Sequence, residues 1–157
     1  MTKSKLVIDT KKQVAELYKN NTLVKTFVVS TAANGVGCEE GSLCTPSGKL
    51  KVAQKVGEGL PLGTVIRSRI PTGEVWSSDP QNPLAHSQED FVLTRLLWLE
   101  GVEPHNKNTF DRYIYLHGTN HEHLLGKPAS HGCIRFSNAD IVEVFDLLKV
   151  GDEVVVV

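Results

Sequence analysis

The sequence has no long apolar run, no excess of charge of either sign and only three cysteines. Its longest apolar runs are a few residues, far short of the roughly 20 that a membrane-crossing helix needs. Seventeen basic residues against 18 acidic ones give a formal net charge of −1. That balance leaves no electrostatic footprint for nucleic acid or for an anionic membrane surface, so neither is expected as a partner. Cys38, Cys44 and Cys133 are an odd, low count and not a disulfide framework. Cys38 and Cys44 lie in the Gly-rich stretch GVGCEEGSLCTP, where they are open to three readings: ordinary loop thiols, a pair, or metal ligands. After the basic start only Leu6-Val7-Ile8 precedes Asp9, too short for a secretory signal, and no lipidation motif is visible. If Met1 is the native start, a cytoplasmic location is expected. A trimmed chain would read the same way, and the periplasm or cell envelope would then apply. No internal repeat, low-complexity tract or linker interrupts the chain.

What is there is ordinary globular material. Hydrophobic residues are 40% and charged residues 22%, which excludes wholesale disorder. A chain of 157 residues is the length of one domain, expected over 1–157. Folding at that length buries roughly 68–70% of the unfolded surface.

The pattern is mainly β. Lys5–Asp9, Val14–Tyr18 and Leu23–Val29 are short β-branched runs, the last two parted by Asn20-Asn21, and predict an antiparallel meander. Thr31 to Gly48 reads as a loop, and Lys49–Ala53 resumes a strand of period two. Arg67 to Asp90 is irregular, broken by Pro71, Pro80 and Pro83. It predicts a surface excursion with a short strand around Trp76; long irregular stretches are often lids or binding loops. Phe91–Leu99 is apolar enough for a buried strand. Asp111–His117 alternates, which puts Tyr113, Tyr115 and His117 on one face and His117 at a strand end. One helix is expected, capped by Ser137 with Asp140 three residues on, burying Ile141, Val144, Phe145 and Leu148, and ending at Gly151. Asp152–Val157 predicts a final strand.

The segment with chemistry in it is HGTNHEHLLGKPASHGCIRF, His117 to Phe136. It sets a thiol among imidazoles and glycines. A cysteine is a good nucleophile as thiolate, and a nearby imidazolium stabilises that anion. Gly132, just before Cys133, permits a tight turn in which successive N–H groups point at one spot, as an oxyanion hole requires. His117, at its strand end, would reach Cys133 across the sheet.

These residues resemble the L,D-transpeptidase catalytic domain, or YkuD, family. Its pattern is a histidine, a short variable loop, then Ser/Thr-His-Gly-Cys, a hydrophobic residue, and Asn or Arg. Here the pieces are His117-Gly118-Thr119-Asn120 and Ser130-His131-Gly132-Cys133-Ile134-Arg135. Thr45-Pro46-Ser47-Gly48-Lys49-Leu50 is similar to the family's Thr-Pro-x-Gly lead into a strand, so the resemblance covers nearly the whole chain.

The resemblance implies a YkuD-like β-sandwich with one short C-terminal helix and Cys133 in a cleft. It implies attack of Cys133 on a peptide carbonyl to form a thioester. His117 would be general base, oriented by the Gly118 carbonyl. The Gly132 and Cys133 N–H groups would bind the oxyanion, and His131 would help bind substrate or polarise the thiol. Arg135 would anchor a substrate carboxylate bidentately or form a structural ion pair. Ser130 would hold the turn, and Thr119 and Asn120 would shape the loop or line the cleft. The implied substrate is a peptidoglycan stem peptide, cleaved between the L-centre of a diamino acid and a D-amino acid, without metal or organic cofactor. Acylation of Cys133 by a carbapenem is a further implication.

Three other readings stand beside this one. The first is a buried, inert Cys133 with satisfied histidines. The second is a zinc site drawn from His117, His121, His123, His131 and Cys133, which suits the metal chemically but lacks a helix to align the ligands. The third is a peptidoglycan-binding domain without activity, disfavoured because the thiol is present. Within the enzyme reading, a water acceptor makes an L,D-carboxypeptidase and an amine acceptor a transpeptidase. Without an export signal, a cytoplasmic carboxypeptidase that trims muropeptide tetrapeptides during wall recycling is the expected form.

Overall fold

The structure is a computed structural model, and it describes residues 3–157. The first three strands, β1 (Ser4–Asp9), β2 (Val14–Lys19) and β3 (Thr22–Ser30), form the expected meander. Along β1 burial alternates strictly, with Leu6 and Ile8 inward. A loop leads to β4 (Gly48–Val56). The excursion that follows folds into a hairpin, β5 (Thr64–Arg67) and β6 (Ile70–Val75), which stops just short of Trp76.

The long strand is β7 (Val92–Gly101), followed by β8 (Tyr115–Gly118), β9 (Ile134–Phe136), the helix α1 (Asn138–Leu147) and β10 (Glu153–Val156). The strands run β4-β10-β1-β2-β3-β9-β8-β7-β5-β6, and β4 also pairs with β7. The sheet therefore folds over on itself as a β-sandwich closed, barrel-like, along that seam. Its interior is one apolar cluster that includes Leu17, Phe27, Leu97, Leu116 and Phe136.

The helix begins as the sequence indicates. Ser137 Oγ accepts the Asp140 N–H at 3.1 Å, which satisfies one of the free donors of the first turn. Ile141, Val144, Phe145 and Leu148 are all buried, each contributing about 1.5–3 kcal/mol relative to exposure. The end differs from expectation: the helix stops at Leu147, and Gly151 (φ 95°) turns the chain later. Leu148 is already extended so that it fills the core, and Lys55 Nζ takes up the carbonyls of Phe145 and Leu148 at 2.6 and 2.8 Å.

The expected strand over 111–117 is also corrected. Phe110–Arg112 is a 3-10 turn and Tyr113 is left-handed (φ 58°), so Tyr113 does not share a strand face with Tyr115 and His117. Tertiary contacts override the alternation. Phe110 stacks on Trp98 with ring centroids 3.9 Å apart, and the Trp98 indole donates to the Phe110 carbonyl. Arg112 reaches across to the carbonyls of Gly37 and Cys44.

Candidate active site

Two adjacent parallel strands build the site. β8 and β9 pair with His117 opposite Arg135, and Cys133 immediately precedes β9. This register brings together residues that the sequence keeps 16 apart, across the loop between His117 and Cys133.

The turn carrying the thiol is tied from three sides. Ser130 Oγ donates to the Cys133 carbonyl at 2.6 Å and accepts the Gly132 N–H at 3.3 Å. The Ser130 backbone pairs with Thr31 and Ala33. Thr45, fully buried, accepts the Ala32 N–H and donates its hydroxyl to the Gly132 carbonyl, both at 3.0 Å. Gly132 has φ 130°, and a Cβ there would lie 3.2 Å from both the Cys44 carbonyl oxygen and Ile114 Cδ1. The backbone thus requires glycine at this place.

His117, Ser130, His131, Cys133 and Arg135 line one cleft of about 110 Å³, together with Tyr115, Val92 and Asp90. His117 is buried, and its Nδ1 lies 2.6 Å from the Gly118 carbonyl oxygen. A carbonyl accepts only, so Nδ1 carries the proton and Nε2 presents a lone pair. Burial lowers the His117 pKa below its ordinary range. The Gly118 hydrogen bond and Asp90 oppose that shift, and Arg135 reinforces it.

The Cys133 sulfur packs against a cluster of Ile66, Leu96, Trp98 and Tyr115. It lies 3.3 Å from the Tyr115 N–H and 3.4 Å from the Tyr113 carbonyl. Burial pushes its pKa up to about 11, against the Tyr115 hydrogen bond. Cys133 and His117 are thus both shifted toward their neutral forms. The physical reason is desolvation of both groups, which disfavours each charged form.

The Gly132 N–H faces Ser130 Oγ rather than the cleft. Thr119 and Asn120 do not line the cleft. Thr119 is buried, and its hydroxyl accepts the His121 N–H. Asn120 accepts the Phe91 N–H at 3.0 Å and donates to the Glu89 carbonyl at 2.9 Å. Of the two readings of Arg135, the ion pair is built: Nη2 lies 2.7 Å from Asp90 Oδ2, with the guanidinium side chain 3% exposed. Nε and Nη1 have no hydrogen-bond partner. His131 stands at the rim, 69% exposed, with Nδ1 3.8 Å from the same Asp90 oxygen.

The zinc alternative fails on placement. Among the described residues no three His, Cys, Asp or Glu side chains gather as a metal site. Cys38 and Cys44 are free thiols and unpaired. Asp90 is the charged cleft residue that sequence reasoning missed, beside Val92 and Tyr115. It ends the irregular stretch, and the sole hint was that such stretches tend to form binding loops.

The closed β-sandwich thus presents a glycine-turn cysteine and a buried histidine in one cleft. The family model described as L,D-transpeptidase catalytic domain (YkuD) matches residues 3–156, and the chain belongs to that family. YqjB of Bacillus subtilis (strain 168), a provisionally assigned L,D-transpeptidase, is 42% identical over 50 residues, 32% of this chain and 28% of that protein. The fold is similar to an L,D-transpeptidase from Mycobacterium smegmatis, with TM-score 0.64 and 16% identity over 99% of this chain and 59% of that one. It is similar to LdtMt1 in complex with imipenem, with TM-score 0.59 and 21% identity over 99% and 59%. It is also similar to L,D-transpeptidase 3 of Mycobacterium tuberculosis in complex with a faropenem-derived adduct, with TM-score 0.61 and 17% identity over 99% and 60%. The chain thus spans less than two thirds of each of these structures.

Proposed function

We propose that the protein is a cysteine acyltransferase of peptidoglycan stem peptides whose thioester is resolved by water. Cys133 Sγ attacks the carbonyl at the L-centre of the diamino acid, and His117 Nε2 takes the thiol proton as the S–C bond forms. The proton passes to the amine of the leaving D-amino acid as the C–N bond breaks. Water, deprotonated by His117, then attacks the thioester, frees the shortened stem as its carboxylate and returns the thiol. The Cys133 N–H stabilises the oxyanion in both halves. His131, at the rim, meets the incoming peptide.

The observation that carries this reading is the His117 tautomer. With Nδ1 held on Gly118, the lone pair at Nε2 belongs to a ring that lines the same cleft as the thiol. The size of the cleft supports water as acceptor: about 110 Å³ suits a small D-amino acid side chain and a few waters of roughly 30 Å³ each. With D-alanine as leaving group the protein is an L,D-carboxypeptidase that converts tetrapeptide to tripeptide. This is a reaction of muropeptide recycling in the cytoplasm.

A second reading has an amine acceptor, giving cross-links or D-amino acid exchange in the cell envelope. It is supported by the names of the structural neighbours and by two open grooves of about 320 and 330 Å³. One shares His131 with the cleft, the other Asp90 and Val92. In either reading a carbapenem, a strained acyl donor, is expected to acylate Cys133. The test is mass spectrometry after incubation with a disaccharide-tetrapeptide, with and without excess free D-amino acid. Tripeptide and free D-alanine that persist despite the D-amino acid support the carboxypeptidase. An exchanged tetrapeptide or a cross-linked dimer overturns it in favour of the transpeptidase.

A further inference from the structure

Asp90 is the charged group of the cleft that the acyl-transfer chemistry leaves without a task. Its carboxylate is the acceptor for Arg135 Nη2 at 2.7 Å, lies 3.8 Å from His131 Nδ1 and 4.0 Å from His121 Nδ1. Three separate segments thus converge on it: β9 through Arg135, the thiol turn through His131, and the loop after β8 through His121. Its own backbone is clamped, because Asn120 binds the residue on each side, Glu89 through its carbonyl and Phe91 through its N–H. The Glu89 side chain is in turn paired with Arg67 on β5. Asn120 thus holds the backbone on both sides of Asp90, and from that place the carboxylate reaches Arg135.

We propose that Asp90 is a positioning residue of the thiol site. Clamped by Asn120, it holds the Arg135 guanidinium beside His117 and draws the His131 imidazole over the cleft mouth. The proposal rests on the cysteine acyl-transfer reading only for its consequence in turnover. Its effect on the thiol and imidazole stands without a substrate.

The charge logic gives a sign to test. Arg135 sits opposite His117 on the neighbouring strand, and its buried guanidinium has no acceptor besides Asp90 among the described residues. The charged groups that act on His117 are Asp90, which raises its pKa, and Arg135, which lowers it. Those that act on Cys133 are Asp90, which raises its pKa, and Arg135 and Arg112, which lower it. Removing the carboxylate leaves Arg135 unbalanced, so both groups lose protons at lower pH. A carboxylate that acts through its charge alone would shift the midpoint in Asp90→Asn but leave it in place in Asn120→Ala, which keeps the charge.

The experiment measures iodoacetamide alkylation of Cys133 against pH in the full chain, read at the Cys133 peptide by mass spectrometry. Circular dichroism checks each variant for folding. Asp90→Asn is expected to lower the alkylation midpoint by roughly half a pH unit or more. Asn120→Ala moves it the same way because the carboxylate loses its clamp, and Asp90→Glu restores most of the wild-type value. A folded Asp90→Asn with a midpoint within about 0.2 unit of wild type, on that same scale, overturns the proposal. If Asp90→Asn does not fold, a folded Asn120→Ala with an unmoved midpoint overturns it equally. Alkylation needs no substrate. A shifted midpoint in a protein that never cleaves stem peptides therefore sinks the proposed function and leaves the role of Asp90 intact.

Discussion

His117 donates from Nδ1 to the carbonyl of its own neighbour, Gly118, at 2.6 Å. That contact fixes the tautomer without a carboxylate partner. Position 118 is glycine for a separate reason: a Cβ there would lie 2.5 Å from Asn138 Oδ1 and 2.7 Å from the Leu93 carbonyl oxygen. A histidine oriented by backbone alone keeps its orientation as long as β8 keeps its register. With the imidazole so held, its removal is expected to be severe: His117→Ala cuts stem-peptide cleavage by roughly 10²–10⁴-fold. Cys133→Ala removes it by roughly 10⁴-fold or more while the far-UV spectrum is retained. Residual cleavage at wild-type rate in Cys133→Ala ends the thioester mechanism.

The pH profile follows from two groups that burial shifts toward their neutral forms. Activity needs His117 unprotonated, and burial lowers its pKa, so kcat/KM falls only below the ordinary imidazole range of about 6.5. Because the thiol pKa is near 11, the profile stays level through neutral and mildly alkaline pH. Stability moves with the same group. The unfolded chain takes up a proton on His117 near pH 6.5 and the folded chain resists it, so stability declines as pH falls below that value. Profiles of kcat/KM and of melting temperature against pH check both, and an acid limb centred above pH 7 would contradict the lowered His117 pKa.

Gly132→Ala strains a backbone at φ 130° and drives a Cβ to 3.2 Å from the Cys44 carbonyl oxygen. The expected cost is about 1–3 kcal/mol of stability, with cleavage lost as Cys133 is displaced. Denaturant melts together with a turnover assay separate the two effects. A variant as active and as stable as wild type would show that the turn is looser than its hydrogen bonds imply.

Thr45→Val keeps the shape of the side chain and deletes the hydroxyl that links Ala32 to Gly132. Two buried backbone groups lose their partner, at about 1–3 kcal/mol each by the usual desolvation penalty. Cleavage should fall with kcat more affected than KM, because the thiol moves and the substrate walls do not. Equal falls in a Thr45→Val and a Thr45→Ser variant would rule out the hydroxyl as the cause.

The opening meander, β4, β7, β10, the helix start and the Ser-His-Gly-Cys turn were legible in the sequence because each rests on local signals: alternation, a capping serine, a glycine at a turn. The 3-10 turn at Phe110–Arg112 was not legible, because stacking on Trp98 decides it and Trp98 lies on another strand. The helix end was misplaced for a similar reason, since the core claims Leu148 before Gly151 is reached. In the site, His117 and Cys133 were readable from residue type and spacing. Their protonation was not, because desolvation depends on packing that one segment does not contain. Asp90 and the role of Asn120 escaped because an aspartate at the end of an irregular stretch has no local mark. It enters the site through an ion pair made 45 residues away in sequence.

The β4–β7 seam has a consequence for how these molecules meet one another. Closing the ring leaves β6 outside it, paired with β5 on one side only among the described residues. Every residue of β6 is exposed, and it carries Pro71, which has no N–H to give, and Gly73 at φ 85°, which breaks the pleat. A border so poor in regularly spaced donors is a bad template for a second chain. Strand-to-strand association of crowded molecules is thereby disfavoured along β6.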